Sequence, residues 1–434
     1  MRHAPLSSTH SLRWLARLGP ALLLSVLLVG TASVAAAPPA PAANAAVITT
    51  WNQHAVARIT IPAGSPTNFN YFAFVHLAMY NAVVGITGEY ELYQWDKHAP
   101  TGASPEAAAA AAAHGVLVHF FGTTDAIVAD LNNKLAASLA LVPDGGAQDK
   151  GVAYGVKAAD RIIALRTGDG RNAAVTVPVS TAAGHWRPEP GAAVFASAWL
   201  GGVTPLAVES ATQFAPDDPP PPINSQKYVD EFNEVRDLGE MNSTLRDATM
   251  TETALFFSDA GIGPMQAALR DFATRHALDI DDSARMFAAA DTAIADGAIT
   301  VWNAKLQYMW WRPISAIRNA DSDGNDATAS VAGWTPRIGT PPYPDYPSGL
   351  CSVVGAVSTT LQRLNGDNTL DLRITSAAAA GVTRTFATKA DIVGQAVDAR
   401  VWSGIHFRTA DEVSIEIGSD VANYTLDNYF QPTD

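Results

Sequence analysis

DDSARMFAAADTAIADGAITVWNAKLQYMWWRP, residues 281–313, is the stretch on which the fold turns. Its apolar residues recur at three- and four-residue spacing, alanine is abundant, and no proline interrupts it before Pro313. The pattern predicts a helix from Asp281 to Arg312, closed by Pro313, which lacks an amide donor and disfavours helical geometry at the residue before it. Lys305 and Arg312, seven residues apart on such a helix, differ by only about 20° in azimuth and share a face. Tyr308, Trp310 and Trp311 surround the pair. A merely solvated basic stripe would not carry three aromatics, so the pair reads as part of a site at a helix end.

Outward from this stretch the same periodicity predicts helices over 105–121, 124–141, 148–166, 348–364, 389–402 and 411–429. Period-2 alternation is scarce, and residues 173–179 (AAVTVPV) are the one tempting strand. The prediction is an all-α protein of one or more helical bundles. Pro219 to Pro222 cannot be helix interior and favour an extended strut, either a linker or a rigid surface loop. This divides the chain into a leader and small-residue linker (1–46), an N-terminal helical region (47–215), a Pro-rich connector (216–224) and a C-terminal bundle (225–434).

Arg2, Arg13 and Arg17 precede an apolar run, ALLLSVLLVG at 21–30, and small residues continue to Ala45 and Ala46. This is the layout of an export leader. The apolar run is short against the roughly 20 residues of a membrane span, and Pro38 moves the expected cleavage towards Ala45 or Ala46. The expectation is a secreted or periplasmic protein, with no membrane association once the leader is cut. The formal charge is −14, and loss of three arginines with no acids takes it to −17. Such a charge repels nucleic acid and anionic lipid, and leaves small molecules as the expected partners. Cys351 is the single cysteine, so no intramolecular disulfide forms, and its apolar surroundings mark it as a packing residue.

Against this acidic background three phrases concentrate cations: Lys305-x6-Arg312-Pro313, Pro347-Ser348-Gly349-Leu350, and Arg400-x3-Gly404-x-His406. Ser348 opens an apolar helix and is placed to cap it, where free backbone N–H groups and the positive end of the dipole make an anion cradle. Arg400 and His406 would diverge on an unbroken helix, but Gly404 lets the chain bend between them. Guanidinium groups grip oxyanions, and a neutral imidazole can ligate a metal or attack phosphorus. His406 is also the sole histidine after His276. One decoy is set aside. Asp321-Ser322-Asp323-Gly324-Asn325-Asp326 begins like a calcium loop, but it lacks glycine at the sixth position and has Ala332 at the twelfth.

The three phrases, in this order and spacing, resemble the vanadium-dependent haloperoxidases and the related type 2 phosphatidic-acid phosphatases. Residues 289–325, 339–349 (GTPPYPDYPSG), 401–412 (VWSGIHFRTADE) and 72–86 (FAFVHLAMYNAVVGI) look like bacterial secreted members. The resemblance implies that His406 binds vanadium directly, or attacks phosphorus in a phosphatase. Lys305, Arg312 and Arg400 would hold the equatorial oxygens of vanadate, or of phosphate in its place, with the Ser348 hydroxyl and Gly349 N–H. Trp302 and Tyr343 match positions that flank the halide site in some members. The implied activity is halide oxidation with hydrogen peroxide, an organic acceptor being a further possible partner.

Two departures bear on this. The family's acid–base histidine after Ser-Gly is Leu350 here, and its aspartate four residues after the ligand histidine is Ala410, with Asp411 one further on. A positioned acid–base group contributes roughly 10²–10⁴-fold, so oxyanion binding should survive better than turnover. Cys351 points about 100° away from Leu350 on a helix and is a poor substitute. Three readings stand: a haloperoxidase-like enzyme of low or altered activity, an exported phosphatase, and a non-catalytic oxyanion-binding protein.

Overall fold

The computed structural model describes residues 43–60, 66–189, 195–259, 261–366 and 369–433; the expected leader, up to residue 42, lies outside them. Thirteen α-helices occupy the described residues. On the N-terminal side are α1 (Ala46–Ile59), α2 (Asn68–Thr87), α3 (Pro105–Phe121), α4 (Asp125–Leu139) and α5 (Gly146–Leu165). There follow α6 (Gln226–Leu238), α7 (Ala248–Ser258), α8 (Ile262–Arg275), α9 (Ile280–Tyr308) and α10 (Pro313–Arg318). The last three are α11 (Gly349–Asn365), α12 (Lys389–Trp402) and α13 (Arg408–Asn428). The described residues are all-α apart from one short hairpin.

Local chemistry explains the boundaries. Helix α3 starts where the Ser104 hydroxyl accepts from the Ala107 amide and Pro105 fills the first turn. Helix α12 starts with a reciprocal capping box between Thr388 and Asp391. Helix α9 is capped by Asp279, which accepts from the Asp282 amide, and it is buried along almost its whole length. It packs against α2, α11 and α13, while α11 and α13 pack on each other. Glycine lets that last pair approach: a Cβ on Gly418 would sit 2.0 Å from the Ser352 carbonyl oxygen. Helix α2 is apolar and long enough to cross a membrane, but 83% of its apolar window is covered by protein. One hydrophobic core runs from Ile48 on α1 to Phe430 beyond α13, and a smaller cluster forms around Tyr228, Trp311 and Phe407.

Two sequence expectations need correction, the end of α9 and the lack of any strand. Helix α9 ends at Tyr308, where Met309 turns left-handed (φ 46°), so Lys305 and Arg312 do not share a helix. Arg312 is extended (φ −81°, ψ 156°) and occupies the position just before α10. Residues 173–179 form no strand. The strands lie elsewhere: β1 (Leu372–Ser376) pairs antiparallel with β2 (Val382–Phe386), Leu372 opposite Phe386. Leu372, Ile374 and Phe386 bury one face of this hairpin. The Pro-rich segment is irregular and touches the site-bearing loop, since Tyr346 donates its hydroxyl proton to the Asp218 carbonyl at 2.7 Å. The acidic decoy makes turns: Asp321 accepts from Ser330, and Asp323 from Thr328 and the Asn325 amide.

Candidate active site

The last turn of α9 delivers Lys305, the loop before α10 delivers Arg312, the start of α11 delivers Ser348 and Gly349, and α12 delivers Arg400. The α12–α13 turn delivers His406, and Gly404 in that turn has φ +76°. A Cβ there would lie 2.4 Å from the Gly239 carbonyl oxygen, so the bend is both left-handed and crowded. Lys305, Arg312, Ser348 and His406 are each 1% exposed or less, and Arg400 is 8% exposed.

These side chains form one cluster. Arg312 Nη1 lies 3.1 Å from His406 Nε2, and Arg312 also donates to the Ile405 carbonyl at 2.6 Å and through Nε to the Tyr343 carbonyl at 2.8 Å. The same Nη1 lies 3.4 Å from Nδ1, so the guanidinium sits against both ring nitrogens. That Nδ1 faces Asp345 Oδ1 at 2.8 Å, and Asp345 is also 3.7 Å from Arg312. Lys305 donates to the carbonyls of Pro344 at 2.6 Å and Asp345 at 2.9 Å, with its ammonium 5.1 Å from the Tyr343 ring and 5.7 Å from that of Trp302.

Burial and proximity set the charge states. Burial, then the cations Arg312, Arg400 and Lys305, hold His406 well below its usual range, so the imidazole is neutral. Burial and the neighbouring Arg312 push Lys305 down as well. Burial raises Asp345 to about 7 against the pull of Arg312 and Lys305. Burial also raises Asp411 well above the carboxylate range, opposed by Ser348 and Arg400.

The carboxylate beside His406 is therefore Asp345, from within PYPDYPSG, and not Asp411. Asp411 instead faces the start of α11, where the buried Cys351 thiol donates to its Oδ1 at 3.4 Å. Sequence reasoning missed Asp345; its one signal was an acid lying between two prolines of the distinctive phrase. Ser348 also differs from expectation. It holds the capping position with extended backbone, but its hydroxyl caps nothing and makes no hydrogen bond of good geometry, although it interacts with Asp411 and Cys351. Arg312 Nη2 and Arg400 Nε are likewise buried without a partner. Beside this cluster opens a cavity whose lining includes Gly349, Arg400, Trp302 and Tyr343. The Trp302 and Tyr343 ring centroids are 5.0 Å apart, and a Cβ on Gly349 would meet the Trp302 ring at 3.2 Å. Leu350 is half-buried and lines the same cavity.

Residues 285–433 match the family model described as the VCPO second helical-bundle domain. That part of the chain is similar to the second helical bundle of the vanadium chloroperoxidases. The chain is also similar to the vanadium chloroperoxidase of Curvularia inaequalis, 33% identical over 88 residues. That match spans 19% of this chain and only 14% of the fungal protein. In fold, the chain is similar to a bacterial vanadium-dependent iodoperoxidase, with a TM-score of 0.74 and 23% identity over 90% of this chain and 96% of that one. It is also similar to a holo-type bacterial vanadium-dependent chloroperoxidase, with a TM-score of 0.70 and 17% identity over 89% and 97% of the two chains.

Proposed function

We propose that this chain is an exported, vanadium-dependent haloperoxidase-like protein that oxidises halide with hydrogen peroxide, slowed or altered by Leu350. The observation that carries the proposal is that, in a cluster where carboxylate oxygens of Asp345 and Asp411 also lack hydrogen bonds, the buried donors Arg312 Nη2, Ser348 Oγ and Arg400 Nε make none of good geometry. Each such group costs about 1–3 kcal/mol when left unpaired, and an oxyanion held among them would satisfy all three. The donor set fits vanadate, or phosphate in its place: guanidinium groups, a hydroxyl, the free Gly349 N–H, the Lys305 ammonium and a neutral imidazole. His406 would be the residue that ligates the metal.

When bound, vanadate supplies a Lewis-acidic centre that activates hydrogen peroxide for two-electron oxidation of halide. The protein's own contribution is positioning. Asp345 Oδ1, 2.8 Å from His406 Nδ1, would orient the imidazole ring. Arg312 is held to backbone carbonyls through Nε and Nη1, which leaves Nη2 for the ligand. Trp302 and Tyr343 exclude water from one side. Leu350 can neither give nor take a proton, and that favours a second reading, an oxyanion-binding protein with little turnover.

One purified sample separates these readings. Vanadate should raise the melting temperature, and peroxide-dependent halide oxidation should be measurable but slow. Binding without oxidation would leave the second reading; absence of binding would sink both.

A further inference from the structure

We propose that the cavity beside the oxyanion cradle binds an uncharged aromatic molecule of one or two rings, with Leu350 as its specificity-determining residue. The inference deepens the haloperoxidase-like reading, on which it rests, by naming the class of organic acceptor.

The cavity encloses about 260 Å³. A single water needs only about 10–15 Å³ on this measure, so the space is far more than halide and peroxide require. Its apolar lining includes Phe69, Phe257, Ile262, Ile338, Leu350 and Val353. No carboxylate lines it, and Arg400 is the one cationic side chain there among the described residues. That arginine already faces Asp411 and the cradle. Walls of this kind hold water poorly and favour an apolar guest, and the Phe, Trp and Tyr rings around them favour an aromatic one.

Leu350 and Val353 lie three apart on α11, so they present one apolar face to the cavity. Where the resemblance places an acid–base histidine, this chain extends that apolar face up to the cradle itself. A ring held in the cavity lies beside the place where halide would be oxidised. Halogenation there replaces a ring C–H bond with a carbon–halogen bond and oxidises the halide by two electrons. Hydrogen peroxide is reduced to two waters, taking up the ring proton and one proton from solvent.

The test is titration of the full protein with 2-naphthol, uncharged at neutral pH, followed by tryptophan fluorescence and calorimetry. Saturable one-to-one binding is expected. The near-isosteric Leu350→Asn and the rim substitution Ile338→Glu should each weaken it by about tenfold or more, the scale of a change in one apolar contact. The vanadate-induced melting shift, read in parallel, reports whether both variants keep the folded cradle. Non-saturable uptake, or unchanged affinity in both variants, would overturn the proposal. Tighter binding of 2-naphthalenesulfonate in competition with vanadate would overturn it too, by placing a charged head in the cradle. Naphthol binding without a vanadate shift would remove the vanadate reading and leave the aromatic site standing. A vanadate shift without naphthol binding would remove the aromatic site alone.

Discussion

Two buried polar clusters in this molecule are built from similar residues and finished differently. Between α1, α2, α8 and α9, Asn52, His76, Gln266 and Asp291 close on one another. Asn52 donates to His76 Nε2 at 3.2 Å and to Gln266, Gln266 donates to Asp291, His76 Nδ1 meets Asp291 at 2.5 Å, and Arg270 donates to Asn52. None of their polar atoms lacks a partner. Around His406 the cations and acids are as deeply buried, but donors on Arg312, Ser348 and Arg400 are left open. A closed network spends its polar groups on the fold, whereas an open one reserves them for something that must arrive.

This contrast can be broken in both directions. Asp291→Ala strips His76 and Gln266 of their acceptor and should cost about 3–5 kcal/mol in denaturant unfolding, as buried pairs do when one partner goes. The vanadate shift should survive in it; a mild loss of stability, or a lost shift, would show that the closed cluster is not purely structural. Leu350→His acts on the open cluster. It restores a titratable group beside the proposed oxyanion and should raise peroxide-dependent halide oxidation by about 10²-fold or more over a slow wild type, at similar vanadate affinity. Brisk wild-type turnover, unchanged or harmed by the substitution, would mean that another residue handles the protons.

Arg312→Ala and Arg400→Ala should each abolish the vanadate-induced stabilisation, which for the wild type at a hundredfold excess over Kd is about 2.7 kcal/mol. A shift retained in both places the anion elsewhere. The smallest effect concerns Asp281, in the first turn of α9, which burial raises to about 6 against the hydrogen bond from Thr87. A carboxyl raised on folding contributes stability that is fully present below its unfolded pKa and is lost as pH rises through the folded one. Asp281→Asn should therefore gain on the wild type by on the order of 1 °C in melting temperature between pH 4 and pH 7. A constant or reversed difference across that range would refute the assignment.

Long helices with clear stop signals were legible in the sequence. The bounds of α3 and α12 match the pattern to the residue, because Ser104-Pro105 and the Thr388–Asp391 box announce their starts. The cations and His406 could be singled out from spacing and from charge running against an acidic chain. The break after Tyr308 could not, because no glycine or proline marks it; a left-handed methionine makes the turn. The hairpin was hidden because its strands are five residues each and the turn between them, Ala377 to Gly381, is alanine-rich and carries no strand signal. The role of Asp345 depends on a contact with His406, 61 positions along the chain, and no local periodicity encodes such a meeting. Ser348 misled for a related reason. Its residue type forecasts a cap, whereas its surroundings turn the hydroxyl towards Asp411 and Cys351.

That uncapped start of α11 has a consequence for motion. The first amides of a helix lacking a side-chain cap are the easiest to open, and they exchange hydrogen with solvent ahead of the rest. In α11 they belong to Gly349, Leu350 and Cys351, and the following turns are buried up to Leu361. An anion seated on them would do what the serine does not, completing the helix from outside. Occupancy of the pocket would then be written in exchange rates: slow, core-like amides along the body of α11 in either state, and a first turn that slows only when the pocket is filled.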